Sequence, residues 1–95
     1  MRIVFSEFAK LEMDDAASFY ELQFEGLGDS FKSEVRKAAL RIADYPRAWS
    51  PGRGEVRKCL LHRFPFSILY SIEPDHIFII AVAHQHRRPD YWAER

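Results

Sequence analysis

The last third of the chain limits what it can fold into more than any other part. Arg63-Phe-Pro-Phe-Ser-Ile-Leu-Tyr70 and His76-Ile-Phe-Ile-Ile-Ala-Val-Ala-His84 are β-branched and aromatic runs separated only by a Glu73-Pro-Asp75 break. Runs of that length bounded by turn residues read as strands, and a gap so short makes them antiparallel neighbours. A further run before Phe64-Pro65 completes a predicted meander of strands near 55–63, 66–72 and 76–84. Alternation in the first puts Arg57, Cys59, Leu61 and Arg63 on one face and Val56, Lys58, Leu60 and His62 on the other. In the last, Ile77, Ile79, Ala81 and Ala83 oppose Phe78, Ile80, Val82 and His84, so both faces are apolar and the strand belongs mid-sheet.

The first half has a different period. After a short strand-like Arg2-Ile-Val-Phe5, Ser6 is placed to cap a helix whose apolar stripe is Ala9, Met13, Ala16, Ala17, Tyr20 and Phe24. Gly26-Leu-Gly28 ends it. Asp29 or Ser30 then caps a second helix carrying Phe31, Val35, Ala38 or Ala39, Ile42 and Tyr45, which Pro46 stops. Lys32, Arg36, Lys37 and Arg41 lie off that stripe and read as a solvated face. So short a break predicts an antiparallel helical hairpin. Residues 46–54 form a turn-rich loop without phosphate-loop spacing, from which Trp49 covers a core edge. The expected architecture is α+β, in the order β-α-α-β-β-β, with both helices on one face of an antiparallel sheet. The other face is left as an open platform, and Pro89-Asp-Tyr-Trp92 begins a short C-terminal helix.

Ninety-five residues suffice for one hydrophobic core, so residues 1–95 are expected to form a single domain. Residues 1–48 carry seven Lys/Arg against nine Asp/Glu and residues 49–95 seven against five, and all four histidines fall in the second part. The mild cationic bias and most groups titrating near neutrality therefore share one region. Cys59 is a lone cysteine inside an apolar run, a small core residue in a reducing compartment. With neither a signal-like opening nor a run of roughly 18 apolar residues, the chain is expected to be cytoplasmic and off the membrane.

Chemistry concentrates after the last strand, where His84, His86, Arg87, Arg88, Tyr91 and Trp92 crowd together. His84 and His86 are spaced as a metal pair would be, but no cysteine pair or carboxylate motif joins them, so no metal or cofactor is expected. Arg57, Arg63, Arg87 and Arg88 offer planar cations suited to phosphate or carboxylate oxygens. His84, His86 and Tyr91 can move protons, and Tyr91 and Trp92 can stack on bases or plug a core.

Arg63-Phe-Pro-Phe-Ser-Ile-Leu-Tyr70 followed by Ile79-Ile-Ala-Val-Ala-His84-x-x-Arg87, after Tyr20, Phe31, Pro46 and Val56-Arg57, resembles the RelE/ParE superfamily of bacterial toxins, often labelled plasmid-stabilisation proteins. The resemblance implies a growth-arresting toxin of a type II toxin–antitoxin pair, held by a cognate antitoxin in a heterotetramer. It also implies one of two targets: DNA gyrase for ParE-like members, which need no catalytic residues, or translated mRNA on the ribosome for RelE-like nucleases. In a nuclease, His84, Arg87 and Tyr91 would be catalytic; Arg57, Arg63, Arg88, His86 and Trp92 would bind phosphate or a partner. Arg63 and Arg87 match the RelE-type phosphate-facing arginines, and Tyr91 lies near the C-terminal tyrosine. Arg57-Lys58 replaces the RelE-like lysine pair, which with the intact His84-x-x-Arg87 favours the ParE-like branch. A partner-binding module without toxicity is the third alternative.

Overall fold

A computed structural model describes residues 1–94. Two helices, α1 (Glu7–Gln23) and α2 (Leu27–Asp44), cover one face of a sheet made of β1 (Arg2–Phe5), β2 (Arg57–Leu60), β3 (Phe66–Ile72) and β4 (His76–His84). The element order is the expected β-α-α-β-β-β, and the last three strands form the expected antiparallel meander. The sheet as a whole is mixed, however. β1 pairs in parallel with β4, giving the spatial order β1-β4-β3-β2 and placing β4 between two partners. Two helices separate β1 from the meander in sequence, so the chain returns to the same side of the sheet and runs alongside β1.

Ser6 caps α1 as anticipated: its hydroxyl accepts from the Ala9 N–H at 3.0 Å and donates to the Ile80 carbonyl at 3.0 Å, fastening the helix start to β4. The second helix begins earlier than its polar residues indicate. Gly26, not Asp29 or Ser30, is its N-cap, in the left-handed region at φ 87°, and Gly28 lies inside the helix. The Glu21 carboxylate makes this start possible by accepting the N–H groups of Gly26 and Gly28, each at 2.9 Å. A Cβ at Gly28 would sit 2.6 Å from the Ala17 carbonyl oxygen, so the hairpin closes only around glycine there. Phe24 and Tyr45, which the periodicity assigns to the buried stripes, are instead the exposed C-caps of their helices.

The core lies between helices and sheet. Ala9, Ala16 and Ala17 from α1 and Phe31, Val35, Ala38 and Ile42 from α2 pack on Cys59, Phe66, Ile68, Tyr70, Ile77, Ile79 and Val82. Tyr70 donates its hydroxyl to the Pro46 carbonyl at 2.6 Å, and Trp49 stands edge-on to it, covering that border of the core. Cys59 is buried, and that burial pushes its thiol pKa up. No helix among the described residues is long and apolar enough to cross a membrane.

β4 does not alternate simply. Leu69 pairs with Ala81 but Tyr70 pairs with Ile79, so Ile80 is an extra residue and the strand bulges there. Ile77 and Ile79 face the helices before the bulge and Val82 faces them after it; Ala81 and Ala83 turn to the other side, contrary to unbroken alternation. The bulge therefore decides what stands at the end of β4.

Candidate functional site

On the uncovered face of the sheet, Leu69, Ala81 and Ala83 form a second, small apolar cluster, with Val56, Ile80, Tyr91 and Trp92 packed against it. The expected platform is thus only partly open. After β4 the chain turns back at Asp90, whose φ of 62° is one an aspartate tolerates, and enters a 3-10 turn over Tyr91–Glu94. Polar contacts tie this return to α1, β4 and the loop before β2. The Tyr91 hydroxyl donates to the Glu12 carboxylate at 2.5 Å, the other oxygen of Glu12 accepts the Val82 N–H at 3.0 Å, and Arg53 pairs with Asp90 at 3.3 Å. A residue of α1 thereby ties down a segment 79 positions away.

Between this return and β2 lies a cleft of about 310 Å³, lined among others by Lys58, Leu69, His84, Arg87, Arg88 and Trp92. A second hollow beyond His84 and Arg87 is lined by Glu12, Asp15, Phe19, Phe66 and Val82. His84 stands on the ridge between the two: its ring meets Phe66 edge-on at 5.1 Å and stacks with His86, while its Nδ1 accepts the His86 N–H at 3.0 Å. That bond occupies one imidazole nitrogen with a backbone donor. Among the described residues no three His, Cys, Asp or Glu side chains gather as metal ligands would. The Arg87 guanidinium lies 4.0 Å over the Tyr91 ring, a cation–π contact that holds its charge at the mouth of the cleft.

The residues singled out from sequence divide accordingly. His84, Arg87, Arg88, Tyr91 and Trp92 line one cleft, and His86 joins them through its stack on His84. Arg57 and Arg63 do not. Arg57 donates to the Trp49 carbonyl on the other face of β2 from Lys58, and Arg63, expected on a strand, sits in the bend after β2 with its guanidinium 5.7 Å over Phe64. Lys58, Arg53 and Glu12 were not singled out. Alternation in β2 was signal enough to place Lys58 opposite Arg57; nothing local marks Glu12.

A profile describing the ParE toxin of the type II toxin–antitoxin system parDE matches residues 3–89. The chain belongs to the ParE toxin family. Within the wider resemblance read from sequence, this selects the ParE branch. Among solved structures, the chromosomal ParDE toxin–antitoxin system from P. aeruginosa superimposes with a TM-score of 0.70 at 18% identity, over 88% of this chain and 95% of that one. At that identity the likeness speaks for the ParE fold alone. No curated protein matches the sequence.

Proposed function

We propose that the chain is the toxin of a type II pair, that it inhibits DNA gyrase, and that a cognate antitoxin neutralises it. The observation that carries this reading is the ParE family match over 3–89, which spans both helices and the whole sheet. Geometry agrees with it. The Tyr91 phenol, the candidate proton donor of a nuclease, is engaged by Glu12, and Arg63 lines neither hollow beside His84. For the antitoxin, α1 offers a second apolar face: Phe8, Leu11, Phe19 and Leu22 are all more than half exposed and fall at i, i+3, i+11 and i+14. Such a row suits an amphipathic segment that folds on binding.

The rival is ribosome-dependent mRNA cleavage, favoured only by His84, Arg87 and Tyr91 sharing a cleft. One paired experiment decides. Purified protein is added to a gyrase supercoiling reaction and, separately, to a translating extract in which mRNA integrity is followed. Inhibited supercoiling, restored by the product of the neighbouring antitoxin gene, with intact mRNA is the expected result. Cut mRNA beside unaffected gyrase overturns it, and no effect on either leaves a partner-binding module.

A further inference from the structure

Helix α1 carries five carboxylates, and four of them are already engaged within the fold. Glu7 pairs with Lys10 at 3.4 Å and Asp14 with Lys32 at 3.2 Å. Glu12 accepts the Val82 N–H and the Tyr91 hydroxyl, and Glu21 accepts the N–H groups of Gly26 and Gly28. Asp15 is the fifth. It is exposed, and its carboxylate forms no ion pair or hydrogen bond among the described residues. Arg87 lines the same hollow, but its guanidinium lies on the Tyr91 ring and forms no ion pair with Asp15.

This carboxylate stands in the middle of the apolar row. Taking Phe8 as i, Leu11 is i+3, Asp15 i+7, Phe19 i+11 and Leu22 i+14, so Asp15 shares its exposed face with the four apolar side chains. A partner that covers the row takes Asp15 out of water, and an unpaired carboxylate there opposes binding strongly. A second copy of this chain does not solve that. Asp15 lies midway between Phe8 and Leu22, so two α1 helices packed by this row about a two-fold axis set Asp15 against Asp15. A partner with a cation at that point does solve it. Resting on the antitoxin reading above, we propose that Asp15 selects the antitoxin, whose α1-covering segment is an amphipathic helix with a Lys or Arg set into its apolar stripe to meet this carboxylate. An arginine fork satisfies both carboxylate oxygens at once. From Phe8 to Leu22 the row runs about 21 Å at roughly 1.5 Å per residue, so about four turns of partner helix cover it, with apolar side chains on both sides of the cation. A segment with an acidic or apolar residue at that point is disfavoured, so one side chain supplies attraction and discrimination together.

The test is isothermal titration calorimetry of the whole chain with the antitoxin product of the neighbouring gene. Asp15→Ala should weaken binding about thirtyfold or more and Asp15→Lys about a hundredfold or more, the loss expected when a desolvated charge pair is broken or reversed. Asp15 is exposed, so circular dichroism and the urea midpoint should match the parent; Asp15→Asn, of the same size, should weaken binding in the same direction. Glu55→Lys, in the loop before β2, makes the same change of net charge and should leave the affinity as it was. One Lys or Arg of the antitoxin, changed to Glu, should recover about tenfold of the affinity lost by Asp15→Lys, and the same change at its other cations should not. Unchanged affinity for Asp15→Leu, equal losses from Glu55→Lys, or no restoring position along the antitoxin would overturn the proposal. So would sedimentation of the chain alone as a dimer that Leu11→Ala dissolves, which would give the row to a second copy. No binding by the parent chain removes the antitoxin reading and this inference together, whereas tight binding indifferent to Asp15 removes the inference and leaves that reading standing.

Discussion

On the face of the sheet that α1 and α2 cover, Tyr20, Phe31, Phe64 and Phe66 meet ring to ring at centroid separations from 4.9 to 6.2 Å. On the other face the buried apolar cluster is Leu69, Ala81 and Ala83, and what covers it is a 3-10 turn held by Glu12 and Arg53. β3 contributes to both, through Phe66, Ile68 and Tyr70 on one side and Leu69 on the other. The first face is interlocked by side chains from both helices and all four strands, with the rings at its centre, so removing one ring leaves a cavity. The second rests on small residues and a few polar ties, which leaves charge and rings near solvent. One face can carry the stability of the fold while the other is free to meet a partner.

The largest effect should come from breaking the interlocked face. Phe31→Ala removes a ring with no exposed surface that touches Tyr20, Phe64 and Phe66, and should cost about 3–5 kcal/mol in urea unfolding. Lys58→Ala and Arg88→Ala on the other face should stay within about 0.5 kcal/mol of the parent. Comparable losses from the two faces would end the division.

An intermediate effect tests the tie across the open face. Tyr91→Phe deletes the hydroxyl that donates to the Glu12 carboxylate, an interaction worth about 1.5 kcal/mol at the low end for a charged acceptor. The loss should be local. Tryptic cleavage after Arg87 should accelerate about tenfold while the urea midpoint hardly moves. A matching drop in global stability would mean that the C-terminal turn belongs to the same cooperative unit as the core.

The smallest effect concerns the hairpin that supports the closed face. Two backbone N–H groups, first that of Gly26 and then that of Gly28, hold the Glu21 carboxyl below its ordinary pKa. A depressed folded-state pKa means that the carboxylate contributes stability above the ordinary carboxylate range and loses it as pH falls through the lowered value. Glu21→Gln should therefore be less stable than the parent at neutral pH, with the gap closing below about pH 4 as both become neutral there. Thermal unfolding of the pair from pH 7 to pH 3 reads this directly; a gap independent of pH would assign the effect to geometry instead of charge.

Much of this molecule was legible along the chain because its signals are local. Ser6 as a cap, the buried faces Ala9–Ala16–Ala17 and Phe31–Val35–Ile42, the stop at Pro46 and the meander each depend on neighbours a few residues apart. Failures came where a particular side-chain contact or a helix end decides, which the hydrophobic period does not encode. Gly26 starts α2 because Glu21 reaches its N–H, Phe24 and Tyr45 leave their stripes because the helices end just before them, and Arg57 turns to the Trp49 carbonyl. In the cleft, the residues after β4 were visible as a cluster of unusual side chains; Lys58 and Glu12 join it only through pairing and packing.

By itself the sequence determined the order and kind of the elements, the helix-facing stripes and the ParE pattern, since hydrophobic period, caps and turn residues are encoded within short windows. Tertiary structure alone decided the parallel docking of β1 on β4, the bulge at Ile80 and the Tyr91–Glu12 tie. The physical reason is that the docking and the tie are settled by partners roughly 70 or more residues apart, and the bulge by the register that β4 takes on β3. A bulge in particular changes which face a side chain takes without altering the local residue pattern. His84, Arg87 and Trp92 therefore had to be folded before they became a site.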